Sequence, residues 1–195
     1  MIRYDRTTPW QQPGPYRLAD YFRYDGDDRC ELLYGRFVMS PGPSNRHQIL
    51  VGLAFEVLAA AARKNGGRTL MAPADVVLAD DTVVQPDVFY VRRENVGIVT
   101  AQETHGSPDI VVEVLSPGTR RRDRIEKLVR YAAAGVPEYW ILDPDSRVAQ
   151  FMVLDGANYR VVVPHEDRYH SACPGVELDV AALWASFRPM APDNA

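Results

Sequence analysis

Apolar residues recur at three- and four-residue spacing in one long stretch of the chain and in alternation through much of the rest. The long stretch is "SNRHQILVGLAFEVLAAAARKNGG". Leu50, Leu53, Ala54, Val57, Leu58 and Ala61 fall on one side of a helix, Ser44 is placed to cap it, and Asn65, Gly66 and Gly67 end it. Ahead of it, residues 17–24 predict a short helix, and residues 31–39 predict a hairpin turning at Gly35. Strands are predicted over 68–72, 75–79 and 83–91, the last two joined by a turn at Asp80 and Asp81. A strand over 109–115 is followed by a helix over 120–134, with Thr119 as its cap and Gly135 and Pro137 beyond its end. Residues 138–142 predict a strand, and residues 147–163 a hairpin around Asp155-Gly156. Strand, helix and strand over 109–142 form a βαβ unit with parallel strands. The class expected is therefore α/β, with a mixed sheet and at least two flanking helices.

Composition narrows the picture without deciding it. The 195 residues are 46% hydrophobic and 25% charged, the balance of an ordinary globular chain, and the length suits one domain over 1–195 with loose ends at 1–15 and 188–195. The apolar run near 49–62 contains Glu56 and is too short to span a bilayer. The first residues lack the apolar core of a secretory signal, and Cys30 and Cys173 have neither metal-ligand nor disulfide-framework spacing, so a cytoplasmic setting is expected. A net charge of -4 argues against a broad basic coat for nucleic acid, while leaving room for a local basic strip.

Two predicted strands each carry an acid inside an apolar run: Asp87 in "VVQPDVFYV" and Glu113 in "DIVVEVLSP". Alternation puts Asp87 with Val83, Gln85, Phe89 and Val91, and Glu113 with Asp109, Val111 and Leu115. A carboxylate there needs a partner. One reading gives each acid an arginine. The other brings both to one divalent cation, since Mg²⁺ takes one or two carboxylates, waters and substrate phosphates.

The following helix carries candidate cations. Of 22 lysines and arginines, only Lys64 and Lys127 are lysines. Asp123, Lys127, Arg130 and Ala134 share one side of that helix, and Ile125, Leu128, Val129 and Ala132 form its apolar stripe. Lys127 reads either as an i, i+4 partner of Asp123 or as a compact charge beside an attacking water. Arg120, Arg121, Arg122 and Arg124 stand at the helix N-terminus, where cations oppose the macrodipole. Helix stability does not account for them. They read as a solvated face or as a grip on a phosphate backbone.

The pieces "ELLYGRFVMSPGPSNRHQ", "VVQPDVFYV" and "PDIVVEVLSPGTRRRDRIEKLVRYAAAGVPEYWILDP" resemble the Uma-type family of putative restriction endonucleases, within the PD-(D/E)XK nuclease superfamily. The resemblance runs over about residues 17–185 and is most specific over 108–144. It implies an αβββαβ core, here with N- and C-terminal hairpins, and a Mg²⁺-dependent DNA endonuclease, Mn²⁺ being an alternative metal. Asp87 and Glu113 would be the metal ligands. Leu115 stands where the superfamily pattern has its lysine, and Lys127 is the expected replacement. By the same resemblance Glu31 would be a third acid. His47 would be a phosphate or water contact, or else a capping or packing group. Gln85 would orient Asp87, or else face solvent. The partner expected is DNA, with a homodimer to cut two strands. Two rivals stand: an inactive nucleic-acid-binding or protein-interaction module on the same fold, and a hydrolase of small phosphoesters. The orientation of Lys127 separates enzyme from module, and a closed pocket would favour the small-substrate hydrolase.

Overall fold

The computed structural model describes residues 13–26, 30–39 and 42–188. The loose ends expected at 1–15 and 188–195 fall largely outside them.

Helix α1 (Leu18–Tyr21) leads into β1 (Cys30–Leu33) and β2 (Arg36–Met39), the expected hairpin. Tyr34 and Gly35 close it with φ of 55° and 71°, the left-handed pair that a two-residue turn requires. Helix α2 (Asn45–Asn65) begins where the Ser44 hydroxyl accepts the His47 backbone N–H at 3.2 Å. It ends at Gly66, whose φ is 78°. Next come β3 (Arg68–Met71), β4 (Val76–Ala79), β5 (Thr82–Val84) and β6 (Val88–Val91).

The single strand expected over 83–91 is two strands in two different sheets. Pro86 has no N–H to give a ladder, and the chain leaves its first sheet there. β5 pairs with β1 and β4, whereas β6 pairs with β3 and with β8 (Ile110–Val114). The one mixed sheet expected is accordingly a five-stranded sheet, which with β7 at Thr104–His105 runs β2-β1-β5-β4-β7, and a six-stranded sheet, which with β9 at Glu138–Asp143, β10 at Val148–Asp155 and β11 at Asn158–Val162 runs β11-β10-β9-β8-β6-β3. β7 (Thr104–His105), a 3-10 helix (Arg93–Ile98), the ribbon β12 (Arg168–His170) with β13 (Glu177–Asp179), and helix α4 (Val180–Ser186) have no counterpart in the sequence reading.

The βαβ unit is present: β8 and β9 (Glu138–Asp143) are parallel, with Glu113 beside Ile141. β10 (Val148–Asp155) and β11 (Asn158–Val162) make the second hairpin. The crossover helix becomes a π-helix over Arg122–Lys127 and continues as α3 (Leu128–Ala133). Its inner face differs from the expected apolar stripe. Ile125 and Val129 are 41% and 42% exposed, while Asp123, Lys127 and Tyr131 are buried.

Two cores flank the six-stranded sheet. Val88, Tyr90, Ile110, Val112 and Val114 pack against Leu50, Ala54 and Leu58 of α2. Phe89, Val91, Val111 and Leu115 pack on the other side with Tyr131, Tyr139 and Ile141. Among the described residues, no helix is long and apolar enough to cross a membrane.

Candidate active site

The strand end at Val114, the break at Pro86 and the π-helix meet over one small cavity. Glu31, His47, Asp87, Glu113, Asp123 and Lys127 are among its lining residues, and its volume is about 40 Å³. All six are buried.

Each carboxylate arrives on a different element. Glu31 is the second residue of β1, Asp87 sits at the sheet-to-sheet break, Glu113 lies one residue from the end of β8, and Asp123 is on the π-helix. The Lys127 ammonium joins them: Nζ lies 2.8 Å from Oε1 of Glu31, 2.8 Å from Oε1 of Glu113 and 3.8 Å from Oδ1 of Asp123. An ammonium from the crossover helix thus stands between carboxylates from β1 and β8. Glu31 Oε1 also accepts the Gln85 backbone N–H at 2.7 Å, and Glu113 Oε1 accepts the Tyr131 hydroxyl at 2.7 Å. Asp87 Oδ2 accepts the Val114 N–H at 2.8 Å and lies 3.2 Å from His47 Nε2. Among the described residues, the buried Oε2 of Glu31, Oδ1 of Asp123 and Nδ1 of His47 find no hydrogen-bond partner.

Other buried acids of the same sheet differ in kind. Asp109 accepts from the Arg92 N–H, the Arg92 Nε and the Asn95 amide, and Glu138 from Trp140, Tyr169, Ser171 and the Ala172 N–H. Both oxygens of each are occupied, as in a carboxylate that only holds the fold together.

Charge is unbalanced at the cavity. Glu31, Asp87, Glu113 and Asp123 face two permanent cations, Arg122 and Lys127. Burial, opposed by Lys127 and reinforced by Asp123, Asp87 and Glu31, pushes the Glu113 carboxyl up to about 8. Burial likewise raises Asp123, against Lys127. Glu31 is buried too, yet the Lys127 and Arg122 charges and two hydrogen bonds hold it below the usual range. Asp87 is held low against its burial by His47 and the Val114 N–H. For Lys127, burial favours the neutral amine, but Glu113, Glu31 and Asp123 outweigh it and keep the ammonium.

The remaining candidates disperse. The Gln85 side chain reaches Asp75 at 2.9 Å and Tyr21 at 3.4 Å, and its backbone N–H serves Glu31. Arg120 and Arg124 reach Asp143 at 2.7 and 3.4 Å, and Arg120 also Asp145 at 2.9 Å. Arg121 is exposed. Arg122 turns inward, 3.8 Å from Glu31 and 3.9 Å from Asp123, and donates to the Met39 carbonyl at 3.2 Å. Two residues of the cluster were not among the sequence candidates: Asp123, read only as a partner of Lys127, and Tyr131. Both stand four positions from Lys127, a spacing that puts them on its face of the helix.

A solved structure has this arrangement of elements. It is a putative nuclease belonging to DUF820 from Anabaena variabilis, matched with a TM-score of 0.74 at 15% identity over 89% of this chain and 100% of that one. At that identity the match defines the fold. The family is defined by sequence: residues 18–182 match Uma2, described as "putative restriction endonuclease", and the chain belongs to that family. No curated protein matches the chain.

Proposed function

We propose that the protein is a divalent-metal-dependent DNA endonuclease. One observation carries the reading: Lys127 Nζ stands 2.8 Å from both Glu31 and Glu113, on a cavity that Asp87 also lines.

The residues fit a Mg²⁺ or Mn²⁺ ion. Four carboxylates against two permanent cations leave an excess of two negative charges, the charge of one such ion. Burial lifts Glu113 and Asp123 toward their neutral forms, which is how a site with too little positive charge relieves itself. Among the described residues no three acids, histidines or cysteines gather tightly enough to hold a metal by themselves. That suits Mg²⁺, which keeps several waters and takes only one or two carboxylates. Asp87 and Glu113 would hold it, with Glu31 as a third acid. Once bound, the ion supplies Lewis-acid polarisation of a phosphodiester oxygen and a nucleophilic water at neutral pH.

The chain's own groups do the rest. The Lys127 ammonium keeps Glu31 and Glu113 side by side and offers positive charge where the phosphoryl oxygens gain negative charge. His47 and the Val114 N–H hold Asp87 ionised. Arg122 spans from the helix to Met39 over Glu31 and Asp123, adding a guanidinium to the cavity rather than to the outer face. Arg120, Arg121 and Arg124 stand at the mouth of the same helix and would contact the DNA backbone, the first and last already oriented by Asp143. The cavity of about 40 Å³ has room for an ion and a few waters, and the scissile phosphate would meet them at its rim. Cutting both strands takes two active sites, and a homodimer is proposed on that ground alone.

The test is cleavage of plasmid and single-stranded DNA with Mg²⁺ or Mn²⁺, beside Asp87→Ala and Lys127→Ala. Cutting by the wild type alone is expected. Equal cutting by all three would trace the activity to a contaminant. No cutting by any, with DNA still bound, would make the protein a binding module.

A further inference from the structure

We propose that Tyr131 is a positioning residue for the metal ligand Glu113: with Lys127 it fastens Oε1 and leaves Oε2 as the oxygen offered to the cavity. The inference rests on the metal-dependent reading above.

Three observations lead to it. Glu113 Oε1 receives two donors, the Tyr131 hydroxyl at 2.7 Å and Lys127 Nζ at 2.8 Å. Two donors on one oxygen fix the rotation of a carboxylate, because turning it would break both hydrogen bonds at once. The same division recurs at Glu31, whose Oε1 takes Lys127 and the Gln85 N–H while Oε2 finds no hydrogen bond among the described residues. Both acids on the lysine are therefore oriented through one oxygen. Tyr131 is also fully buried, with its ring 4.9 Å from that of Tyr139.

A phenol suits this place better than a cation. The Tyr131 hydroxyl donates to Glu113 Oε1 as a neutral group. It adds a hydrogen bond without adding positive charge, whereas an arginine or lysine there would offset the negative excess that a metal ion must meet. Outer groups that hold ligating carboxylates commonly change metal affinity about 10- to 100-fold when removed.

The neighbouring Tyr139 supplies a control. Its hydroxyl is equally buried but donates at 2.9 Å to the backbone carbonyl of Asp123 and, among the described residues, hydrogen-bonds to no carboxylate. The experiment is calorimetric titration with MnCl₂ of the wild type, Tyr131→Phe and Tyr139→Phe, with thermal unfolding of each. Both variants should lose comparable thermal stability. Only Tyr131→Phe should weaken Mn²⁺ binding, by about 10- to 100-fold. Absence of Mn²⁺ binding by the wild type would sink the reading of the site as a metal centre. Mn²⁺ binding by the wild type, with Tyr131→Phe within threefold of it, would sink the role of Tyr131 alone. Equal weakening in both variants would also sink it, by reducing Tyr131 to core packing. Should Tyr131→Phe fail to fold, Tyr131→Met removes the same hydroxyl while its flexible chain refills the space, and the same outcomes apply.

Discussion

Glu113 makes the stability of the metal-free protein fall as pH rises through neutrality. Its carboxyl has an ordinary value of 4.5 and is pushed up to about 8 in the fold. A raised value means that the folded chain holds the proton more tightly than the unfolded one. The stabilisation is therefore complete below about pH 4.5 and is lost as pH climbs towards 8. Integrating over that window gives a loss of about 3 to 4 kcal/mol between pH 5 and pH 8. Glu31 and Asp87 shift the other way and act only in acid, and Lys127 acts only in strong alkali. Asp123 is raised as well and adds to the slope. Glu113→Gln fixes a neutral group in place, with an oxygen that can still accept from Lys127 and Tyr131. The assay is urea unfolding of wild type and Glu113→Gln at pH 5, 6.5 and 8, with chelator present throughout. The variant should lose most of the slope and overtake the wild type at pH 8. Equal slopes in the two proteins would refute the argument, because the titrating group would then lie elsewhere.

The same carboxyl predicts what metal binding does to protons. With its carboxyl raised to about 8, Glu113 is mostly protonated at pH 7, so Mn²⁺ should release protons there and fewer at pH 9; titration in buffers of different ionisation enthalpy measures it, and equal release at both values would contradict the assignment. Glu138→Gln tests the opposite kind of acid: with four donors arranged around its carboxylate, it should cost about 1.5 to 3 kcal/mol in urea unfolding while leaving Mn²⁺ affinity unchanged.

Much of the site was legible in the chain because its acids interrupt apolar strands. Asp87 and Glu113 stand out in runs of valine, and Lys127 in a chain that otherwise uses arginine. Their meeting was less legible. It depends on a strand that ends at Pro86 and on a sheet change that alternation does not encode. Pro86 itself was the available signal, since proline in a run of valines argues against a continuous central strand. The crossover helix misled for a different reason. Its apolar stripe leaves Ile125 and Val129 exposed, and the cavity draws in Asp123, Lys127 and Tyr131 instead. A helix that faces a charged site inverts the usual rule, and the π-helical turn adds a geometry that 3.6-residue periodicity does not describe. The C-terminal ribbon and α4 were missed because strands of three residues carry too little pattern, although Asp179 is a good cap and accepts the Ala182 N–H at 2.8 Å.

The sheet change at residues 85–87 also sets a ruler. Val84 closes one sheet and Val88 opens the other, so three residues carry the chain across while Gln85 serves Glu31 and Asp87 reaches Val114. An added or deleted residue there would turn the alternation of a whole strand over and pull apart two sheets that otherwise touch the site independently. Lengthening is better absorbed at the Gly156 turn, far from the cavity in the hairpin of β10 and β11. For anyone grafting a tag, a hinge or a reporter into this protein, the tip of that hairpin is the place to cut, and the short span through Pro86 is the place to leave whole.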